Sequence, residues 1–221
     1  MPALGRGFSA ALIVAAAGFL IVPFKILAAP IEPVMGFVQK IFYFHVPFAI
    51  TMFVTTFTAA GGSVAYLFKG SERGDRLAEA ASELGVVFGA CVLVSGPLWG
   101  RKAWGVWWEW DVRLTSALLL ELVFVAYLLV RKYGGPGAEK LAAATALFGF
   151  AVAPFVYKSV DIWRTVHPKT SVVPTLPRVM AGPLALTALA FVLLFLVLLT
   201  LRVRLAERQA MLDELYLAHE D

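Results

Sequence analysis

Residues 46–68 and 179–201 each run without a single charged side chain. Crossing the hydrocarbon core of a bilayer takes roughly 20 apolar residues in a row, with about 17 acceptable. Inside lipid every backbone N–H and C=O must be satisfied within the protein, which leaves helices or closed barrels. The runs are unbroken rather than alternating, and that selects helices. Four further runs cover 8–28, 80–98, 114–131 and 141–158. Glu79 precedes the third run and Glu83 falls early in it, which suits a helix start at the interface. Pro154 is expected to kink the fifth. The first run is too long for a signal peptide and more runs follow it, so it is read as a span. The prediction is an all-α integral membrane protein of one domain, residues 1–221, built as a bundle of six transmembrane helices. Only 15% of the chain is charged, against about 25% in soluble domains.

This composition excludes several functions. The net charge of +4 is small and the basic residues lie between apolar runs. They read as topology signals in a protein whose surroundings are the lipid bilayer, with no nucleic acid partner. There is no Gly-x-x-x-x-Gly-Lys-[Ser/Thr] loop, so the chain does not hydrolyse ATP by that route and is read as a non-enzyme. Cys91 is the sole cysteine. It forms no internal disulfide, completes no Cys-x-x-Cys pair and attaches no haem covalently; it reads as packing. The tail 202–221 reads as a charged helix with Leu205, Met211, Leu212, Leu215 and Leu217 loosely on one side. A solvated continuation of the last span is the plain reading, and a docking helix for a cytoplasmic partner the other.

The links fall into two sets. Segments 69–79 and 132–140, with the tail, are ordinary and hydrophilic. Segments 29–45, 99–113 and 159–178 hold five of the six tryptophans in one run, together with His45 and His167. With six spans these three links share one side, whichever way the protein inserts. The positive-inside rule barely orients them, because ten Lys and Arg lie on the plain side and nine on the other.

The Trp run is Trp99-Gly-Arg-Lys-Ala-Trp104-Gly-Val-Trp107-Trp108-Glu-Trp110-Asp111. Scattered Trp at helix ends is ordinary interfacial anchoring, and Trp99 and Trp110 could each be no more than that. Five together form a flat platform suited to a large planar ligand with a polar edge. Gly100 and Gly105 let the loop fold tightly. His45 lies in Phe44-His45-Val-Pro47, at the start of the second span, with Pro47 in its first turn. His167 lies in the last special link. Alone, each is an ordinary interfacial or loop histidine. As a pair on one face they can supply both axial positions of a haem iron. Zinc is disfavoured, since no third or fourth soft ligand lies near. Arg101, Lys102, Arg113 and Arg164 are candidates for the two haem propionates, Arg being the better partner for a carboxylate. Each could instead contact lipid headgroups. Asp111 and Arg113 are a candidate ion pair closing the loop. Glu121, inside the fourth span, is a membrane carboxylate and so a functional suspect, or a structural pairing group.

The pattern Trp99-Gly-x-x-x-Trp104-Gly-x-Trp107-Trp108-x-Trp110-Asp111-x-Arg113-Leu114-Thr115-Ser116 resembles the tryptophan-rich WWD signature of the haem-handling protein family. Six spans, a short chain and one histidine in each flanking link resemble its smallest branch, the haem exporter protein C (CcmC) family of cytochrome c maturation. The larger CcmF and CcsA/ResC branches share the signature but carry more spans and intramembrane histidines. The resemblance implies haem b, carried transiently as cargo, held at the periplasmic face between the histidines that match His45 and His167. It implies presentation to the haem chaperone CcmE, within a complex of the ATPase CcmA, the permease CcmB and the small membrane protein CcmD. It further implies the bacterial inner membrane, cytoplasmic N- and C-termini and a periplasmic Trp-rich loop. Glu121 lies outside the signature.

Two other readings stay open on the residues: a permease subunit for another amphipathic molecule, with the Trp run as its gate, and a bis-His electron-transfer haem protein. A redox protein of that kind buries its histidines within helices. Two histidines in links would favour loading and unloading instead.

Overall fold

The computed structural model describes residues 5–220. The chain ends, residues 1–4 and 221, for which a shared cytoplasmic side is expected, lie outside the described residues. Six helices are each long and apolar enough to cross a membrane, and the protein is a multi-pass membrane protein. They are α1 (Arg6–Ala28), α2 (Phe42–Lys69), α3 (Glu72–Ala103), α4 (Val112–Tyr133), α5 (Ala138–Ile162) and α6 (Arg178–Glu220). A short 3-10 turn, Phe37–Ile41, leads into α2. The described residues contain no named strand.

The helices outrun the apolar stretches because polar first turns and capping residues extend them. Ser71 caps α3, its hydroxyl accepting from the Gly74 amide at 3.1 Å, and Glu72 and Asp75 sit in that first turn. Carboxylates there complement the helix dipole. Glu83, expected near a helix start, lies a further two turns in. It forms a two-pronged ion pair with Arg202 of α6 at 2.5 and 2.6 Å. Arg131 of α4 reaches Asp75 at 2.9 Å and Glu79 at 3.1 Å. These pairs tie α3, α4 and α6 together at the end of the bundle away from His45 and His167.

Helix α2 is central, packing on α3, α5 and α6. It turns into α3 through Gly70, whose φ of 61° is the left-handed conformation that ends helices. The two helices approach closely beside this turn. A Cβ on Gly62 would lie 2.8 Å from the Ala78 amide nitrogen, and one on Gly74 2.8 Å from the Gly62 carbonyl. Small residues permit such backbone contact between membrane helices.

Helices α2, α3 and α5 continue through their internal prolines. α5 runs unbroken through Pro154. α2 begins at Phe42, so Pro47 falls beyond the first turn and His45 lies within the helix. α3 continues through Pro97 to Ala103, which puts Trp99 and Arg101 on a helix rather than in a link. α6 extends 43 residues, about 64 Å at 1.5 Å per residue. That is about twice the roughly 30 Å hydrocarbon thickness, so its charged second half stands clear of any bilayer that its apolar half spans.

Candidate functional site

The start of α2, the end of α3, the start of α4 and the 163–177 link enclose a cavity of about 700 Å³. His45, His167, Trp99, Trp104, Trp107, Trp108 and Arg113 all line it. Parity of six spans places these links on one side, and packing brings the side chains together around the cavity.

His45 is buried, at 7% exposure. It is one turn into α2 and stands edge-on to Trp99, ring centres 5.9 Å apart. Its Nδ1 lies 2.9 Å from the Ser95 hydroxyl. His167 is placed by a different device. Asp111 caps α4, with one carboxylate oxygen accepting from the Leu114 amide at 2.8 Å. The other oxygen accepts from the Thr165 hydroxyl and from the Val166 amide, the latter at 3.1 Å. The Thr165 hydroxyl oxygen in turn accepts from the His167 amide at 3.1 Å. Asp111 thus pins the link that carries His167. The His167 Nδ1 donates to the Pro168 carbonyl at 2.8 Å, because a carbonyl can only accept. Burial, with the nearby Arg113 charge, lowers the His167 pKa to about 4, so the ring is neutral at physiological pH.

The ring centres of His45 and His167 lie 6.4 Å apart, planes inclined at 47°. An imidazole nitrogen bonds a transition metal at about 2.0–2.1 Å, with its ring centre about 1 Å further back. Two axial imidazoles on one metal therefore hold their ring centres roughly 6 Å apart, and this pair matches that spacing. The rest of the wall is apolar apart from a few polar groups. Two of these are buried without a partner among the described residues, the Gln39 Oε1 and the Trp108 Nε1. Such atoms at a cavity wall suit a ligand with polar substituents.

Several expected site residues fall elsewhere. Trp110 is 77% exposed and does not line the cavity; it precedes the Asp111 cap, so the chain turns it outward. The tryptophans are walls rather than one flat platform. Trp99 and Trp104 are tilted by 35°, and Trp108 and Trp110 by 73°. Gly105, at φ 82°, makes the turn that separates them, and Gly100 makes room for the Trp104 ring, which a Cβ there would meet at 2.9 Å. Arg101 is exposed and donates to the Gly105 carbonyl, closing that turn. Arg164 is exposed and lies off the cavity. Arg113 is the expected arginine that does line it, and it donates to the Val156 carbonyl of α5. Asp111 and Arg113 form no ion pair within 4.0 Å, because Asp111 is engaged by the link. Glu121 is buried over Gly89 of α3, away from the cavity lining.

Ser95, Gln39, Met35 and Tyr157 are site residues not anticipated from the sequence. Ser95 carries a legible signal, a lone hydroxyl one helical turn before Trp99. Lys40 is buried, its ammonium bonding the carbonyls of Ile26, at 2.8 Å, and Ala29 at the end of α1. It serves as a helix cap, so it is a poor guide to membrane orientation.

Comparison with known proteins bears on the identity of this arrangement. The family model described as "Heme exporter protein C" matches residues 4–215. The chain is similar to the heme exporter protein C of Bradyrhizobium diazoefficiens, 37% identical over 77% of this chain and 67% of that one. The Paracoccus denitrificans protein of the same name is 34% identical over 84% and 80%. That of Escherichia coli strain K12 is 30% identical over 80% and 73%.

Proposed function

We propose, from the premise that the chain belongs to the heme exporter protein C family, that it binds haem b between His45 and His167 and presents it during c-type cytochrome biogenesis. One observation carries this reading: two neutral-capable imidazoles 6.4 Å apart in a tryptophan-walled cavity. Trp99, Trp104, Trp107 and Trp108 supply apolar faces for the porphyrin. Arg113, placed on the wall, pairs with a propionate, and the unpartnered Gln39 and Trp108 groups are available to the other polar edge. Trp110, Arg101 and Arg164 act outside the pocket, as interfacial or turn residues.

The haem is cargo. His167 sits in a link, which suits a ligand that must let go; His45, within α2, contributes the fixed half. The acceptor is the haem chaperone CcmE, and the working unit is a complex with CcmA, CcmB and CcmD, the ATPase being a separate subunit. The chain resides in the bacterial inner membrane with the cavity facing the periplasm. Single-domain organisation and a cytoplasmic tail at 202–221 belong to the same reading.

The test is purification from membranes followed by a pyridine haemochrome spectrum and identification of co-purifying proteins. Haem b with a bis-His spectrum, and a co-purifying haem chaperone, are expected. His45→Ala or His167→Ala each loses most haem or changes the Soret band. A double variant that retains the wild-type bis-His spectrum overturns the ligand assignment.

A further inference from the structure

We infer that Ser95 is a positioning residue for His45, fixing the imidazole with its proton on Nδ1 and its free lone pair on Nε2. The observation is a two-step relay. The Ser95 hydroxyl lies 2.6 Å from the Cys91 carbonyl oxygen, one helical turn back on α3. A carbonyl accepts only and a hydroxyl has one proton to give; the shorter contact, to Cys91, takes that proton. The hydroxyl lone pair then faces the His45 Nδ1 at 2.9 Å and can only accept from it. Nδ1 carries the hydrogen, and Nε2 is the ring nitrogen left with a lone pair. Gly96 lets α3 approach the ring: a Cβ there would come 3.3 Å from the His45 Cε1.

His167 reaches the same tautomer through its own neighbour, the Pro168 carbonyl. The two rings are thus matched in protonation though held by unrelated means. A histidine that binds a metal through one nitrogen usually donates the other N–H to a fixed acceptor. Ser95 is that acceptor on α3 for a histidine on α2. The consequence for ligation rests on the haem reading; the tautomer does not.

The experiment uses the full chain, haem-free, in detergent micelles with 15N-labelled histidine, reading each tautomer from long-range 1H–15N correlations. Wild-type His45 shows the Nδ1–H form. Ser95→Ala gives a mixture or the Nε2–H form at His45 and leaves His167 unchanged. Ser95→Thr, which keeps the hydroxyl, restores the wild-type pattern. Titration with haemin then shows roughly a 10–100-fold loss of affinity in Ser95→Ala, recovered in Ser95→Thr. An Nε2–H tautomer at wild-type His45 overturns the inference. So does a Ser95→Ala variant with unaltered tautomer or unaltered haemin affinity, or one that disturbs His167 equally. Wild-type protein that takes up no haemin overturns the haem reading alone, since the tautomer is read without it.

Discussion

His45 and His167 face each other across 6.4 Å, one rooted in α2 and the other held by a loop. The loop is held in turn by Asp111, which caps α4 with one oxygen and binds Thr165 and Val166 with the other. The placement of the His167 ring opposite His45 therefore depends on a residue hydrogen-bonded to neither ring.

Asp111→Ala removes both duties. The lost cap alone destabilises by about 0.5–2 kcal/mol, and His167 loses its anchor. Asp111→Asn separates the two: asparagine caps helices as well as aspartate, yet its amide nitrogen cannot accept from Thr165 or Val166. The expected outcome is near-normal melting in detergent with a weakened His167 ligand in the Soret spectrum. Wild-type haem retention in Asp111→Asn would show that the tether does not matter.

The tryptophans contribute unequally. Aromatic contacts supply roughly 0.5–1.5 kcal/mol each beyond area burial. Trp104→Ala, Trp107→Ala and Trp108→Ala should each lower haem content partially and together severely. Trp110→Ala, at an exposed position off the cavity, should leave haem content unchanged. Equal losses from Trp110 and Trp108 would count against the pocket.

Haem-free protein should show an acid-sensitive stability. His167 takes up a proton near pH 4 when folded and near pH 6.5 when unfolded. Between these values the unfolded chain binds more protons, so stability falls as pH drops from about 6.5 to about 4. The His167 ring should not titrate between pH 6 and 8 by NMR. A midpoint near 6.5 would show that the ring is not shielded.

Sidedness is testable with single cysteines in a Cys91→Ser background. Positions Val34, Val106 and Val172 lie in the three special links and should all react with a membrane-impermeant thiol reagent on intact spheroplasts. Val106 lines the cavity, so haem-depleted cells are the appropriate sample for it. A cysteine at Lys132, exposed at the end of α4, should react only after lysis. Gly135 is less suitable, because its φ of 67° strains any other residue. Opposite labelling of Val34 and Val172 would break the six-span arrangement.

Long apolar runs made the six helices legible, and parity of spans put His45, the Trp run and His167 on one side. Helix ends were not legible in the same way. Pro47 looks like a first-turn residue and residue 98 like the end of the third span, yet a membrane helix tolerates proline when its neighbours satisfy the freed groups; α2 begins before Pro47 and α3 runs past Pro97 to Ala103. That difference moved Trp99 and Arg101 onto a helix and put His45 inside one. It also removes half of the distinction between link histidines and the helix-borne histidines of an electron carrier, which now rests on His167. Arg101, Arg113 and Arg164 are all candidates for the propionates in sequence, though only Arg113 is a named position of the Trp-rich signature. Only packing distinguishes the one on the cavity wall from those facing solvent, and only packing reveals Asp111 as a tether.

The two-residue turn at Gly70 and the backbone contact of Gly62 with Gly74 make α2 and α3 a single stiff fork. His45 sits on one tine, Ser95 and Trp99 on the other. A fork of this kind sets the His45 ring against groups of the opposite tine, the Ser95 hydroxyl and the Trp99 ring. The 163–177 segment is fastened instead by two carboxylates, Asp111 on Thr165 and Val166 and Asp161 on Thr170. The two histidines are therefore held by different means, one by the helix pair and the other by side chains that fasten its link.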